Sequence, residues 1–209
     1  MKKYELTEET TNIFGKTLHR IRATRDFSNV HAGDLGGFIE NELNLSHDRD
    51  TWVYGNAWVY GEARVYGNAW AYGEARVSGN ALVSGDARVG GKALVGGDAR
   101  VGGNALVSGD AWVGGNALVS GNALVYGNAL VKGTRDIYWI SCIGSRDGTT
   151  TFFRNANNGI SVSCGCFYGT IDEFAAAVTK THGDNEHAQA YRHAIEIAKL
   201  RIKLTDAES

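Results

Sequence analysis

The chain has 209 residues, a formal net charge of −2, three cysteines and no proline. That balance argues against nonspecific nucleic-acid binding and equally against a DNA mimic, since either needs a strong charge excess. No apolar run reaches membrane-spanning length, and Met1-Lys2-Lys3-Tyr4-Glu5 is not followed by a signal-peptide core, so a cytoplasmic protein with reduced thiols is expected.

Residues 1–16 are polar and mixed, and Thr7-Glu8-Glu9-Thr10 reads as the opening of a short helical turn. Leu18-His19-Arg20-Ile21-Arg22-Ala23 alternates as a strand does, which puts Arg20 and Arg22 on one face. After a loop, Gly33-Asp34-Leu35-Gly36-Gly37-Phe38-Ile39-Glu40 predicts a tight turn and a second short strand. Asn44-Leu45-Ser46 is a glycosylation sequon that has no use in a cytoplasmic setting.

From Trp52 to Gly133 one six-residue phrase repeats. It reads Val53-Tyr54-Gly55-Asn56-Ala57-Trp58, then Val59-Tyr60-Gly61-Glu62-Ala63-Arg64, and continues to Val125-Tyr126-Gly127-Asn128-Ala129-Leu130. The first slot is Val except at Ala71, the third is always Gly and the fifth always Ala. Ala-x-Val has strand periodicity with Ala and Val on one face, and Gly followed by Asn, Asp or Glu supplies a corner. A strand and a corner in every hexad cannot make hairpins, because the chain always turns the same way; the period defines a solenoid of stacked parallel strands.

This pattern resembles the hexapeptide-repeat proteins, and the resemblance covers roughly two fifths of the chain. It implies a left-handed parallel β-helix with three hexads per triangular coil, here about 4–5 coils and about 20–25 Å tall. The fold class expected is mainly β: a cap and degenerate first coil over 1–50, the β-helix over 51–134, and a small α+β unit over 135–209. Leu35 precedes Val53 by one eighteen-residue coil, so the first coil is expected to begin there. Both ends of such a stack need covers, and the flanking segments are expected to supply them.

The outward slots vary. Arg64, Arg76, Arg88 and Arg100 recur every twelve residues, so they fall on different sides of the prism and read as solvated charge. Trp52, Tyr54, Trp58, Tyr60, Tyr66, Trp70 and Tyr72 crowd the first coils; such a belt stacks a base or a sugar ring, or is buried by the N-terminal cap, and burial is the expectation. Leu94, Trp112 and Leu130 stand one coil apart, with Gly90 expected beside them, and form an apolar ladder assigned to a subunit or domain interface. The resemblance implies a homotrimer about a parallel three-fold axis.

Beyond Gly133, Ile137–Cys142, Thr149–Phe153 and Ile160–Cys164 read as strands of an antiparallel meander, separated by Arg146-Asp147-Gly148 and Asn157-Asn158-Gly159. Thr170-Ile171-Asp172-Glu173 is a capping box that opens a helix ending near His182-Gly183. A longer helix is predicted from Glu186 to Leu204, with Tyr191, Ala194, Ile195, Ala198 and Ile202 on its apolar face.

Three functions stay open. Many hexapeptide-repeat proteins are acyltransferases that bind acyl-CoA between subunits and use a His base on a loop projecting from the coils. This repeat has no such loop and no His, so no catalytic residue carries over. Cys142, Cys164 and Cys166 lack the spacing of a zinc site; Cys164 and Cys166 are placed on one strand face and all three are expected as reduced core thiols, with no metal and no cofactor. Arg20, Arg22 and His19, joined by Lys16, form the best ligand site, suited to a phosphate, against the plainer reading of a strand face paired with Asp34 or Glu40.

The chain as a whole is similar to phage- and prophage-encoded proteins of unknown function. In these, segments like Thr17-Leu18-His19-Arg20-Ile21-Arg22 and Gly36-Gly37-Phe38-Ile39-Glu40 precede the repeats, and one like Gly165-Cys166-Phe167-Tyr168-Gly169-Thr170 follows. The reading is a non-enzymatic trimeric binding protein that sequesters a small anionic host molecule such as a nucleotide signal. The alternatives are an acyltransferase and a structural scaffold.

Overall fold

The computed structural model describes residues 2–204, so position 1 and positions 205–209 of the two flanking units lie outside it. The repeat is a parallel solenoid. Fourteen two-residue strands, β4 (Trp52–Val53) to β17 (Leu130–Val131), occur one per hexad and stack on three faces in about five turns. Every pairing inside the repeat joins residues one coil apart, such as Trp52 with Trp70 and Leu94 with Trp112.

The two inward slots dictate this geometry. Ala57, Val59, Ala63, Val65 and their successors to Val131 are buried and form one continuous core. Gly at the third slot takes positive φ at every corner from Gly55 to Gly127, and corners of successive coils lie almost in contact. A Cβ at Gly91 would meet the Gly109 nitrogen at 2.8 Å, so the position excludes a side chain on space as well as on φ. Between corners, Asn68 donates to Asp86 and Asn80 to Asp98, at 2.9 and 2.8 Å, one coil apart on the outside.

Three antiparallel strands open the chain: β1 (Tyr4–Ile13), β2 (Lys16–Ala23) and β3 (Leu35–Ile39). The helical turn expected at Thr7–Thr10 is instead part of β1, where the pairing with β2 slips between Leu6 and Thr10. Thr-rich sequence favours a strand once a partner edge is present, and the slip is a bulge. β3 then runs parallel to β5 (Trp58–Val59), so the hairpin extends one face of the prism.

The first coil does not begin at Leu35. Leu35 pairs with Arg22 and is 53% exposed, whereas Ile39 aligns with Val59 and Leu45 with Val65. The lead-in coil is therefore two residues longer than the repeat. A three-residue 3-10 turn, Glu42–Asn44, takes up part of that length, and buried Asn44 closes it by donating to the carbonyls of Gly61 and Ala63 at 2.9 and 2.8 Å. The sequon asparagine is thus a corner strut.

Tyr4, Ile21, Phe27, Val30 and Trp52 seal this end of the core. Lys3 is fully buried with them; its Nζ donates to the Thr51 carbonyl at 2.7 Å and lies 4.9 Å from the Phe27 ring centre. Burial, aided by the Arg25 charge, lowers its pKa to about 8.

The other end is sealed by a four-stranded antiparallel sheet, β18 (Ile137–Ile143), β19 (Gly148–Arg154), β20 (Ile160–Cys164) and β21 (Phe167–Thr170). Successive residues of β19 serve opposite cores: Phe153 joins the solenoid core, while Phe152 joins a second core under the helices. Hydrogen bonds tie the junction, Ala156 N donating to the Asn128 carbonyl at 2.9 Å and Leu124 N to the Thr151 side-chain Oγ1 at 3.0 Å. Helices α1 (Ile171–His182) and α2 (Glu186–Arg201) pack on the outer side of this sheet. The Thr170–Glu173 capping box opens α1, and Tyr191, Ala194, Ile195, Ala198 and Ile202 are buried as their spacing predicts.

Candidate functional site

The basic cluster on β2 is engaged with its own hairpin. Arg20 meets Glu9 at 2.8 Å and the Gly36 carbonyl at 3.1 Å, while Arg22 donates to Glu5. Lys16 meets Glu40 at 2.7 Å, and His19 Nδ1 lies 3.2 Å from the Thr7 carbonyl. The Lys16 bond, outweighing partial burial, holds the Glu40 carboxyl below its ordinary range. These groups come together, but each is occupied by a carboxylate or carbonyl.

A second basic arrangement lies on the repeat itself. Arg88 falls one coil after Trp70, and its guanidinium carbon sits 4.9 Å from the indole centre; Arg76 stands over Trp58 in the same way at 4.7 Å. The arginines are spread over all three faces, Arg64 and Arg100 sharing one, and two of the four are stacked on tryptophans. The signal was a Trp one eighteen-residue coil before each.

Around Arg88 the aromatic belt forms a cleft of about 450 Å³, lined by Asn29, Tyr54, Trp70, Tyr72 and Arg88. Tyr54 packs edge-on to Trp70 with ring centres 5.3 Å apart, and its hydroxyl donates to Asn29 Oδ1 at 2.8 Å. Trp70 Nε1 donates to the Asp50 carbonyl at 3.2 Å, fixing the indole. Burial raises the Tyr54 pKa, with the Asp50 charge adding to it against the Asn29 bond, so the phenol stays neutral.

Tyr72 lies where its successor one coil on, Gly90, leaves space: a Cβ at Gly90 would fall 2.0 Å from the ring's Cζ. Gly90 was expected beside the Leu94 ladder; it serves this cleft instead, because it belongs to the Tyr72 corner. Burial of the belt is uneven. Trp52 is buried by the cap, Tyr54, Trp58, Tyr60, Trp70 and Tyr72 are half-buried, and Tyr66 is exposed. The N-terminal cap covers only the end of the coil, leaving these rings a solvent-facing edge.

The corresponding cleft at Trp58 and Arg76 has about 290 Å³ and includes Glu74 in its wall. No carboxylate lines the Arg88 cleft among the described residues. Of the two, only the Arg88 cleft combines an aromatic platform and a cation with a lining free of carboxylates.

Leu94, Trp112 and Leu130 stack in register as the period requires, with Leu94 and Trp112 42% and 46% exposed. Lys132 Nζ lies 5.2 Å from the Trp112 ring centre. Two cysteines depart from expectation: Cys142 and Cys166 are exposed, while half-buried Cys164 packs against the core under the helices. Cys166 follows Gly165 in the turn after β20 and does not share a strand face with Cys164, because that turn takes positive φ at Gly165. No cluster of metal-ligating side chains occurs among the described residues.

Repeat coils of equal length, a three-sided apolar core and covers at both ends define a repeat β-solenoid protein. In keeping with that class, a family model described as YdcK Beta solenoid repeat matches residues 75–98 and 99–115. No curated protein matches the chain. No helix among the described residues is long and apolar enough to cross a membrane.

Proposed function

We propose that this chain is a non-enzymatic binding protein that takes up a small planar anion, such as a nucleotide signal, in the Arg88 cleft. The carrying observation is the juxtaposition of Trp70 and Tyr72 with Arg88 in a concavity without a carboxylate. A base stacked on an indole or phenol ring gains about 1–3 kcal/mol, and a guanidinium favours a phosphate by charge-assisted hydrogen bonding. In this reading the protein is a phage- or prophage-encoded hexapeptide-repeat protein acting in the cytoplasm of a bacterial host. It assembles as a homotrimer through the Leu94–Trp112–Leu130 ladder. The site is placed on the cleft rather than on Arg20, Arg22 and His19, since those groups are already paired.

Native mass spectrometry of the purified protein, followed by denaturation and mass analysis of what is released, tests this directly. Tryptophan fluorescence titrated with AMP, GMP and cyclic dinucleotides supplies the affinity. A released or titrated nucleotide whose binding is lost in Trp70→Ala and Arg88→Ala is expected. An empty protein that none of these nucleotides quenches overturns the reading. Acetyl-CoA consumption sensitive to a His→Ala series instead establishes an acyltransferase.

A further inference from the structure

The C-terminal unit contains a second concavity, remote in sequence from the Arg88 cleft and unused by the function proposed above. It has about 310 Å³ and opens between the β18–β19 turn, the β20–β21 turn and α1. Its floor is apolar: Phe174 and Val178 from α1 and Ile143 from β18, all buried in the core under the helices. Gly148 and Gly165 flank the opening, and a Cβ at either would meet nothing within 4 Å, so the mouth is unobstructed.

The polar groups are asymmetric. Arg146 and His182 stand at the rim, no carboxylate lines the cavity, and Arg146 has no ion pair among the described residues. Deeper in, the Cys164 thiol accepts from Thr150 Oγ1 at 3.1 Å and lies 3.6 Å from the Tyr191 hydroxyl. These inner polar atoms satisfy one another, which leaves the apolar floor and the cationic rim to meet a ligand. An apolar depression with a few convergent polar groups is the usual form of a small-molecule site.

We infer that this cavity binds a small amphipathic carboxylate, its anionic head at Arg146 and His182 and its tail against Phe174 and Val178. The volume sets the size. At about 30 Å³ per non-hydrogen atom, the share of a water molecule in the liquid, it accommodates roughly ten such atoms. That is a medium-chain acid such as octanoate. A cationic amphiphile of the same length is rejected by the rim, and an acid two methylenes shorter binds about tenfold more weakly.

The cysteines provide a built-in reporter. Cys164 and Cys166 line the cavity, whereas exposed Cys142 does not. The experiment is iodoacetamide alkylation of the full chain, followed site by site by mass spectrometry, with octanoate, hexanoate or octylamine present. Octanoate is expected to slow alkylation at Cys164 and Cys166 severalfold in a saturable manner and to leave Cys142 unchanged. Arg146→Gln should raise the octanoate concentration needed by about tenfold. Ala177→Phe, which fills the cavity from α1, should abolish protection. Because Ala177→Phe disturbs packing, Arg146→Gln and octylamine decide the matter if that variant fails to fold. Equal protection by octanoate and octylamine, an Arg146→Gln variant indistinguishable from wild type, or no protection at millimolar octanoate overturns the inference. None of these results depends on whether a nucleotide occupies the Arg88 cleft.

Discussion

Arg88 stands in register with Trp70 one coil earlier, its guanidinium carbon 4.9 Å from the indole centre. The eighteen-residue period, and not local sequence, brings them together. Arg76 and Trp58 repeat the relationship on another face, but with Glu74 in the wall. The pair is therefore an internal control. Both stacks are partly exposed, so replacing either Arg by Ala should cost about 0.5–1 kcal/mol of stability. Only Arg88→Ala should weaken nucleotide binding, by about tenfold or more. Parallel calorimetric titrations of the two variants with AMP check this, and equal losses would refute the assignment to one cleft.

The corner glycines make a sharper claim about stability. Gly91 has φ +62° and no room for a Cβ against Gly109, whereas Gly165 has φ +57° and open space. Gly165→Ala should cost about 1–2 kcal/mol, the penalty of left-handed backbone alone. Gly91→Ala adds overpacking between coils and should cost about 2–5 kcal/mol. Urea denaturation of both variants separates space from backbone strain. Similar midpoints would mean that the coils part freely to admit a methyl group.

These corners explain why the fold was so legible. Gly at the third slot and Ala at the fifth leave a single way to stack the hexads, so the coil and its inward residues follow from the repeat alone. The lead-in coil was not legible, because its extra length is held by Asn44 reaching the Gly61 and Ala63 carbonyls, a contact without local sequence signature. The Thr7–Thr10 strand was missed for a related reason: its partner edge, not its own propensity, makes it a strand. Among candidate sites, the arginines were visible but their neighbours were not. Whether Arg20 or Arg88 is paired depends on which carboxylates a hairpin or a coil brings near: Arg20, though over the Phe38 ring, is held by Glu9, while Arg88 stacks on Trp70 in a cleft lined by no carboxylate. The C-terminal cavity had no signal at all, since it is the space between two turns and a helix.

Two buried groups set opposite pH dependences at the two ends of the molecule. Burial, reinforced by the Cys164 contact, pushes the Tyr191 phenol up to about 12 from its ordinary 10.0. Its folded pKa lies above the unfolded one, so its contribution is complete below pH 10 and is lost as pH rises toward 12. Lys3 is the reverse case, lowered from 10.5 to about 8. Between those values the unfolded chain holds the extra proton, and stability rises with pH. Thermal melts across pH 7.5–12 should show a rise over the lower window that Lys3→Met removes. They should also show a fall above pH 10 that is shallower in Tyr191→Phe. Absorbance at 295 nm should lose a late tyrosinate step in Tyr191→Phe; an unchanged titration curve would contradict the buried, neutral phenol.

The last prediction concerns assembly. Leu94, Trp112 and Leu130 form a ladder on one face, with Leu94 and Trp112 nearly half exposed. Leu118 is equally exposed at 44%, but its register partner is Arg100 alone, whereas Leu94, which likewise follows Arg76, is continued by Trp112 and Leu130. A continuous apolar ladder gains more by burial against a second copy than a single leucine does. Trp112→Glu should therefore convert the proposed homotrimer to monomer, and Leu118→Glu should leave the assembly intact. Sedimentation equilibrium of both variants and of the wild type decides the point. A monomeric wild type, or a trimer that survives Trp112→Glu and fails with Leu118→Glu, would move the interface off this ladder.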